Sequence, residues 1–261
     1  MESKKETEEM SSILDDLLED QTEEVEEVNK TSRFSEATWL SEVQNYQGFI
    51  GGVGNIGSWL ALFLGRIDLR LILIDPDKIE IQNVGGQLYS SLEVGSFKVM
   101  ALSKILNYLD ASAHNNFSVK DFLDSNMINR FSLSQKNILY SCFDNMEARK
   151  LMFKMFKANN KAKLLIDGRS QAEYYQILTV DKDKPETLKK YEKEYLFNDE
   201  DAPDAACNYK STSHCGAQLA SMITALTTNY LANKKLGEDV FNIPFYTEVN
   251  LQNMYFSHKQ V

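Results

Sequence analysis

The segment Gly52-Val53-Gly54-Asn55-Ile56-Gly57 constrains the fold of this chain more than any other feature. A short apolar run, Tyr46 to Ile50, leads into it, and an apolar helix-like stretch, Ser58 to Arg66, follows. Leu69 to Ile74 is then a leucine- and isoleucine-rich strand closed by Asp75, so the order is strand, glycine loop, helix, strand. Glycines at this spacing let backbone approach phosphate closely, and the helix that follows adds aligned N–H donors and the positive end of its dipole. Asp75, 23 residues beyond Gly52, is placed to accept hydrogen bonds from a ribose. NAD, FAD and ATP all fit this geometry, and the loop does not choose among them.

With 261 residues and 43% hydrophobic content, the chain can build one full α/β core. No run of 18 apolar residues and no charged-then-apolar leader occurs, so no membrane contact is expected and the location is expected to be cytoplasmic. The net charge of −10 argues against nucleic acid as a partner. Its distribution is uneven: residues 1–30 carry twelve acidic side chains and three lysines, leaving 26 acidic and 25 basic residues for 31–261. Residues 1–30 are therefore expected to be an acidic, mostly disordered tail, and residues 31–261 a nucleotide-binding domain. Within the tail, Ile13, Leu14, Leu17 and Leu18 share one helical face. Residues 11–28 are read either as a docking helix for a protein partner or as a solvated tail. Three cysteines, Cys142, Cys207 and Cys215, with no CxxC pair, make neither a disulfide framework nor a zinc site.

Further elements follow the same alternation. Phe34 to Gln47 is helix-like, Phe97 to Leu109 and Asn145 to Ala158 are helices, and Asn137 to Phe143 and Leu164 to Asp167 are strands, with a weaker strand at Phe117 to Val119. This order predicts a Rossmann-like, doubly wound α/β fold with a mostly parallel sheet. Tyr174 to Val180 has no helix before it and is expected to run antiparallel, as is Phe245 to Leu251. Asp181 to Asp204, charged and tyrosine-bearing, is expected to be an irregular mobile crossover, with Tyr191 and Tyr195 in a solvated loop. A long helix from about His214 to Lys235 follows, capped by Ser211 to Ser213 and closed by Gly237. Met146, Met152, Met155, Phe153 and Phe156 are read as helix core.

The nucleotide class comes from the residues after the loop. Asp75-Pro76-Asp77 is followed by Glu80, Asn83, Gln87, Gly95 and Lys98, and later by Asp144-Asn145 at a strand end, with Arg149 behind them. Two carboxylates and a lysine beside a phosphate cradle suit a nucleotide–metal complex, one acid for the ribose and one for Mg²⁺. In these residues, running from GGVGNIGS through IDPDKIEIQN, GQLY, VGSFK, FDNMEAR and IDGR, the chain resembles the ThiF/MoeB/HesA superfamily of adenylyltransferases over roughly residues 33 to 235.

The resemblance implies that ATP and Mg²⁺ are bound and that AMP is transferred to the C-terminal carboxylate of a small ubiquitin-like protein or peptide, by a homodimer. It makes Gly52, Gly54, Asn55 and Gly57 the cradle, Asp75 the ribose acceptor, Asp77, Asn83, Gln87 and Lys98 the groups around the triphosphate, and Asp144 the metal anchor. Arg33 corresponds to the arginine lent to a dimer partner's site, with a surface arginine as the other reading. Cys207 corresponds to the transferring cysteine, with an ordinary loop thiol as the alternative. One departure stands out. The family's Asn-Leu-Gln-Arg-Gln motif reads NVGGQ here, so Gly86 replaces an arginine, and Arg33, Arg66, Arg149 and Arg169 are the candidates to supply the missing charge. Two alternatives therefore remain: an inactive ATP-binding adaptor and an NAD-dependent oxidoreductase.

Overall fold

The computed structural model describes residues 30–111, 117–121, 123, 135–198 and 211–261. The chain divides into two units, residues 1–35 and 36–261. In the first, the described residues hold one 3-10 turn, Ser32–Phe34, which carries Arg33. The apolar face at Ile13 to Leu18 and Cys207 lie outside the described residues.

The second unit is an α/β fold built on one mixed eight-stranded sheet of order β3-β2-β1-β4-β5-β6-β7-β8. Strands β1 (Tyr46–Gly51), β2 (Arg70–Ile74), β3 (Phe117–Val119), β4 (Lys136–Ser141) and β5 (Ala162–Gln171) run parallel. Strands β6 (Tyr174–Asp181), β7 (Tyr246–Asn250) and β8 (Tyr255–Lys259) extend it antiparallel. The chain leaves β1 toward β2 and β3, then crosses to β4 and β5 on the other side. The C-terminal ends of β1 and β4 thus flank the point where strand order reverses, where an open α/β sheet forms its ligand crevice.

Period-two alternation sorts the strand side chains onto two faces. Ile50, Leu71, Leu73, Ile138, Tyr140, Leu164 and Ile166 pack under α2 (Asn55–Arg66), α3 (Lys98–Tyr108) and α6 (Ser213–Leu236). Their neighbours Phe49, Ile72, Leu139, Leu165 and Leu178 face α4 (Met146–Ala158) and α5 (Pro185–Glu194). Met146, Met152, Met155, Phe153 and Phe156 of α4 are buried, as their spacing predicts. Asn145 caps α4 by accepting the Ala148 N–H at 2.9 Å. Gly237, at φ +76°, ends α6 in the left-handed conformation. At the other end of α6, Thr212, within the expected Ser211 to Ser213, occupies the cap position, without a capping bond from its side chain.

Three expectations need correction. The helix-like stretch from Phe34 to Gln47 forms only α1 (Leu40–Val43), because β1 begins two residues past its C-cap Gln44 and leaves no room for another turn. The crossover from Asp181 is not irregular throughout, since Pro185 opens α5, where its fixed φ is already helical. Thr187 ties α5 to β6, its hydroxyl accepting from the Asp181 N–H at 3.1 Å and donating to the Asp181 and Lys184 carbonyls. Thr187 and Tyr191, one turn apart, are buried, so Tyr191 is core and not loop. Strand β8 carries no alternation to betray it, because its aromatic residues Tyr255 and Phe256 stay exposed at the sheet edge.

Among the described residues, no helix is long and apolar enough to cross a membrane. Close backbone packing sets a sharper test of the fold. A Cβ added to Gly65 in α2 would lie 1.7 Å from the Ala111 carbonyl oxygen, whereas one on Gly85 meets nothing within 4 Å. Gly65→Ala is expected to cost about 1–3 kcal/mol and lower Tm by roughly 4–10 °C in a thermal melt, with Gly85→Ala unchanged.

Candidate nucleotide site

The glycine loop is held by backbone geometry at two positions and open at a third. Gly52 has φ +81° and donates its N–H to the Ile74 carbonyl at 2.9 Å, and a Cβ there would sit 2.8 Å from the Cys142 carbonyl oxygen. A Cβ on Gly57 would meet the Gly52 oxygen at 1.9 Å, so α2 docks on the end of β1 only with glycine at that position. Gly54 is different, because the one atom its Cβ would approach is Gln87 Nε2, at 3.8 Å. Gly54 is also the N-cap of α2 and makes no side-chain cap, which leaves the helix's first donors facing that space.

Asp75 splints this loop to β2. Its Oδ2 accepts the Val53 N–H and its Oδ1 the Asp77 N–H, each at 2.9 Å, while Lys98 Nζ stands 4.0 Å away. Burial raises the Asp75 carboxyl above its ordinary range, with Lys98 opposing the shift. Lys98 Nζ pairs with Asp77 Oδ2 at 2.8 Å, and the Lys98 N–H donates to the Asp77 carbonyl at 2.9 Å. Gly95, at φ +87°, donates to the Ile79 carbonyl at 2.8 Å and turns the chain back so that α3 starts beside Asp75.

Asn83 and Gln87 share one turn. Asn83 Oδ1 accepts the Glu80 N–H at 2.8 Å and its carbonyl accepts the Gln87 N–H at 2.9 Å, leaving Gln87 Oε1 buried with no partner in the protein. Asn55 serves as a clamp: Nδ2 donates to the carbonyls of Gly86 at 2.8 Å, Thr212 at 3.2 Å and Ser211 at 3.3 Å. A Cβ on Gly86 would lie 3.1 Å from that same Nδ2, so the amide of Asn55 crowds the place from which a side chain at residue 86 would leave.

On the other side of the reversal point, Cys142 donates its N–H to the Gly51 carbonyl at 2.9 Å and brings Asp144 to the crevice rim. Asp144 is exposed and receives a bond from Asn145 Nδ2 at 3.3 Å. Behind it, Asp167 is fully buried and accepts from Arg149, from Arg169 and from the Tyr191 hydroxyl at 2.9 Å. Arg149 and Arg169 are therefore already engaged, and neither is free to stand in for an arginine at residue 86. Arg66 lies in the last turn of α2, on the order of 15 Å along the helix from the cradle. Arg33 belongs to the other unit. Sequence reasoning missed Asp167 and Tyr191 as members of this neighbourhood. The available signal was an acid followed by Arg169 inside an otherwise apolar strand.

Among the described residues, no group of three His, Cys, Asp or Glu side chains gathers as a metal site. Burial pushes the Cys142 thiol up to about 12 and raises Cys215 as well. Native alkylation at pH 8 is accordingly expected to modify no more than one of the three thiols, with mass spectrometry as the readout.

A glycine loop on a switch-point crevice, backed by a buried acid and a lysine, defines a doubly wound α/β protein with a candidate nucleotide site. Residues 28–260 match the ThiF family, and the chain belongs to it. No curated protein matches the sequence. Among solved structures it is similar to PaaA, with 15% identity over 97% of this chain and 82% of that one at a TM-score of 0.64. It is also similar to E. coli MccB solved with AMPCPP and MccA, with 14% identity over 91% and 73% at 0.63. MccB with MccA-N7isoASN gives 13% identity over 89% and 72% at 0.65.

Proposed function

We propose that the chain is an ATP-dependent adenylyltransferase that activates the C-terminal carboxylate of a peptide or small ubiquitin-like protein. The single observation that carries this reading is an open Gly54 after β1 together with an exposed Asp144 carboxylate after β4, the strand paired beside it. Family membership adds the reaction class, and E. coli MccB, a structural relative, was solved with ATP and with MccA.

The residues present fit ATP and Mg²⁺. Gly52 and Gly57 hold the loop so that Gly54 and the N-terminus of α2 leave backbone donors, which suits phosphate, while Asn83 and Gln87 offer amides, Gln87 with an unpartnered Oε1. Asp144 would hold Mg²⁺ as a single carboxylate, in keeping with an ion that retains waters and phosphate oxygens. When bound, ATP·Mg²⁺ supplies an α-phosphorus open to carboxylate attack with pyrophosphate as leaving group. Lys98 faces that chemistry from its pair with Asp77 and can exchange partners toward phosphate, screening the repulsion between anions. Asp75, with both oxygens occupied by backbone N–H groups, holds the loop in shape and keeps lone pairs for the ribose. Residues 31–261 act as this one domain behind an acidic tail. Arg33 in a homodimer and Cys207 in a later thioester step extend the same reading.

A second reading is favoured by Gly86 and by the engagement of Arg149 and Arg169 with Asp167: a nucleotide-binding adaptor with little turnover. Calorimetry with ATP·Mg²⁺, ATP in EDTA and NAD separates the cases. Asp144→Asn is expected to weaken ATP binding by about tenfold or more in Mg²⁺ and little in EDTA. Pyrophosphate exchange with candidate peptides then divides enzyme from adaptor, and binding of NAD in place of ATP defeats both.

A further inference from the structure

We infer that Asp167 is a positioning residue that mechanically couples α5 and the residues just after it to the loop carrying Asp144. Its place explains why. Asp167 stands abreast of Ser141, the last residue of β4, and follows Leu164, Leu165 and Ile166, all fully buried. A carboxylate in such a run is costly unless several donors meet it.

Here the donors come from three elements. From α4, Arg149 Nη1 binds Oδ1; from β5 itself, Arg169 Nε and Nη2 bind Oδ2 at 2.8 and 2.7 Å; from α5, the Tyr191 hydroxyl donates to Oδ2 at 2.9 Å. Each arginine has a second hand. Arg149 Nη2 donates to the carbonyl of Phe143, the residue before Asp144. Arg169 Nη2 donates to the Tyr195 carbonyl at 2.8 Å, just past the end of α5, and its guanidinium lies 5.9 Å from the Phe197 ring.

Asp167 is therefore the joint between two arms. One arm ends on the backbone that aims Asp144, the other on α5 and on Tyr195 to Phe197. Two guanidiniums around one carboxylate carry a net positive charge, so without the anion they repel each other and both arms lose their anchor. Movement at the end of α5 reaches the Asp144 loop through this joint.

The test is hydrogen exchange by mass spectrometry on the full chain, wild type against Tyr191→Phe and Asp167→Asn. Tyr191→Phe keeps the ring, which packs 5.0 Å from Phe153, and removes only the hydroxyl, so it is expected to fold even where Asp167→Asn does not. Exchange over 142–146, beyond the C-terminal end of β4, is expected to quicken by about threefold to tenfold, together with 191–198. Quickening confined to 185–198, or none, overturns the coupling. The catalytic readout rests on the proposed adenylation: Tyr191→Phe should lower kcat in pyrophosphate exchange by about threefold to tenfold with KM for ATP unchanged, and a change in KM alone counts against a positioning role. A wild type that binds no ATP defeats the proposed function only, since the exchange comparison needs no nucleotide.

Discussion

The contact between the start of α2 and the carbonyl of Gly52 governs the rest of this protein. Gly57 passes so near that oxygen that no side chain fits, and Gly52 itself must turn at positive φ against the Cys142 backbone. These two close approaches bring the ends of β1 and β4 together beneath the helix N-terminus. The crevice, its donors and the rim that carries Asp144 all depend on that packing. Gly54 is then released from structural duty and lies open to space.

Two carboxylates are buried near the crevice, and the chain satisfies them in different ways. Asp75 is met by backbone N–H groups and a lysine at a distance, and burial still raises its carboxyl. Asp167 is met by two guanidiniums and a phenol, side chains from three elements. The first arrangement fixes one loop locally. The second joins parts of the chain far apart in sequence and draws away the arginines that would otherwise compensate for Gly86. Asn55 contributes at the same spot by spanning the Gly86 turn and the start of α6.

Much of the sheet was legible because its strands are short apolar runs followed by glycine, aspartate or a helix cap. The local neighbourhoods of Asp75, Lys98 and Asp144 were legible as positions at strand and helix ends. What misled the reading was charge. The run PETLKKYEKEY looks like a solvated loop, yet its Thr187 and Tyr191 are buried one turn apart and the lysines and glutamates occupy the outer face. Arg149 and Arg169 looked available for the same reason: sequence counts a charge without its partner, and the partner, Asp167, sits on β5 with Arg169 and under the helix that carries Arg149.

The sequence by itself determined the alternation of strands and helices, the glycine turn and the acid that closes the next strand, since each follows from local sterics and side-chain period. Only the tertiary structure decided what those groups are free to do. Hydrogen bonds between residues apart in the chain turned Asn55 into a clamp, Tyr191 into a buried donor and Arg149 into a ligand of the carboxylate that Arg169 meets from the same strand. They left Gly54 and Asp144 open, because burial and partner choice are properties of the packed sheet and not of any segment within it.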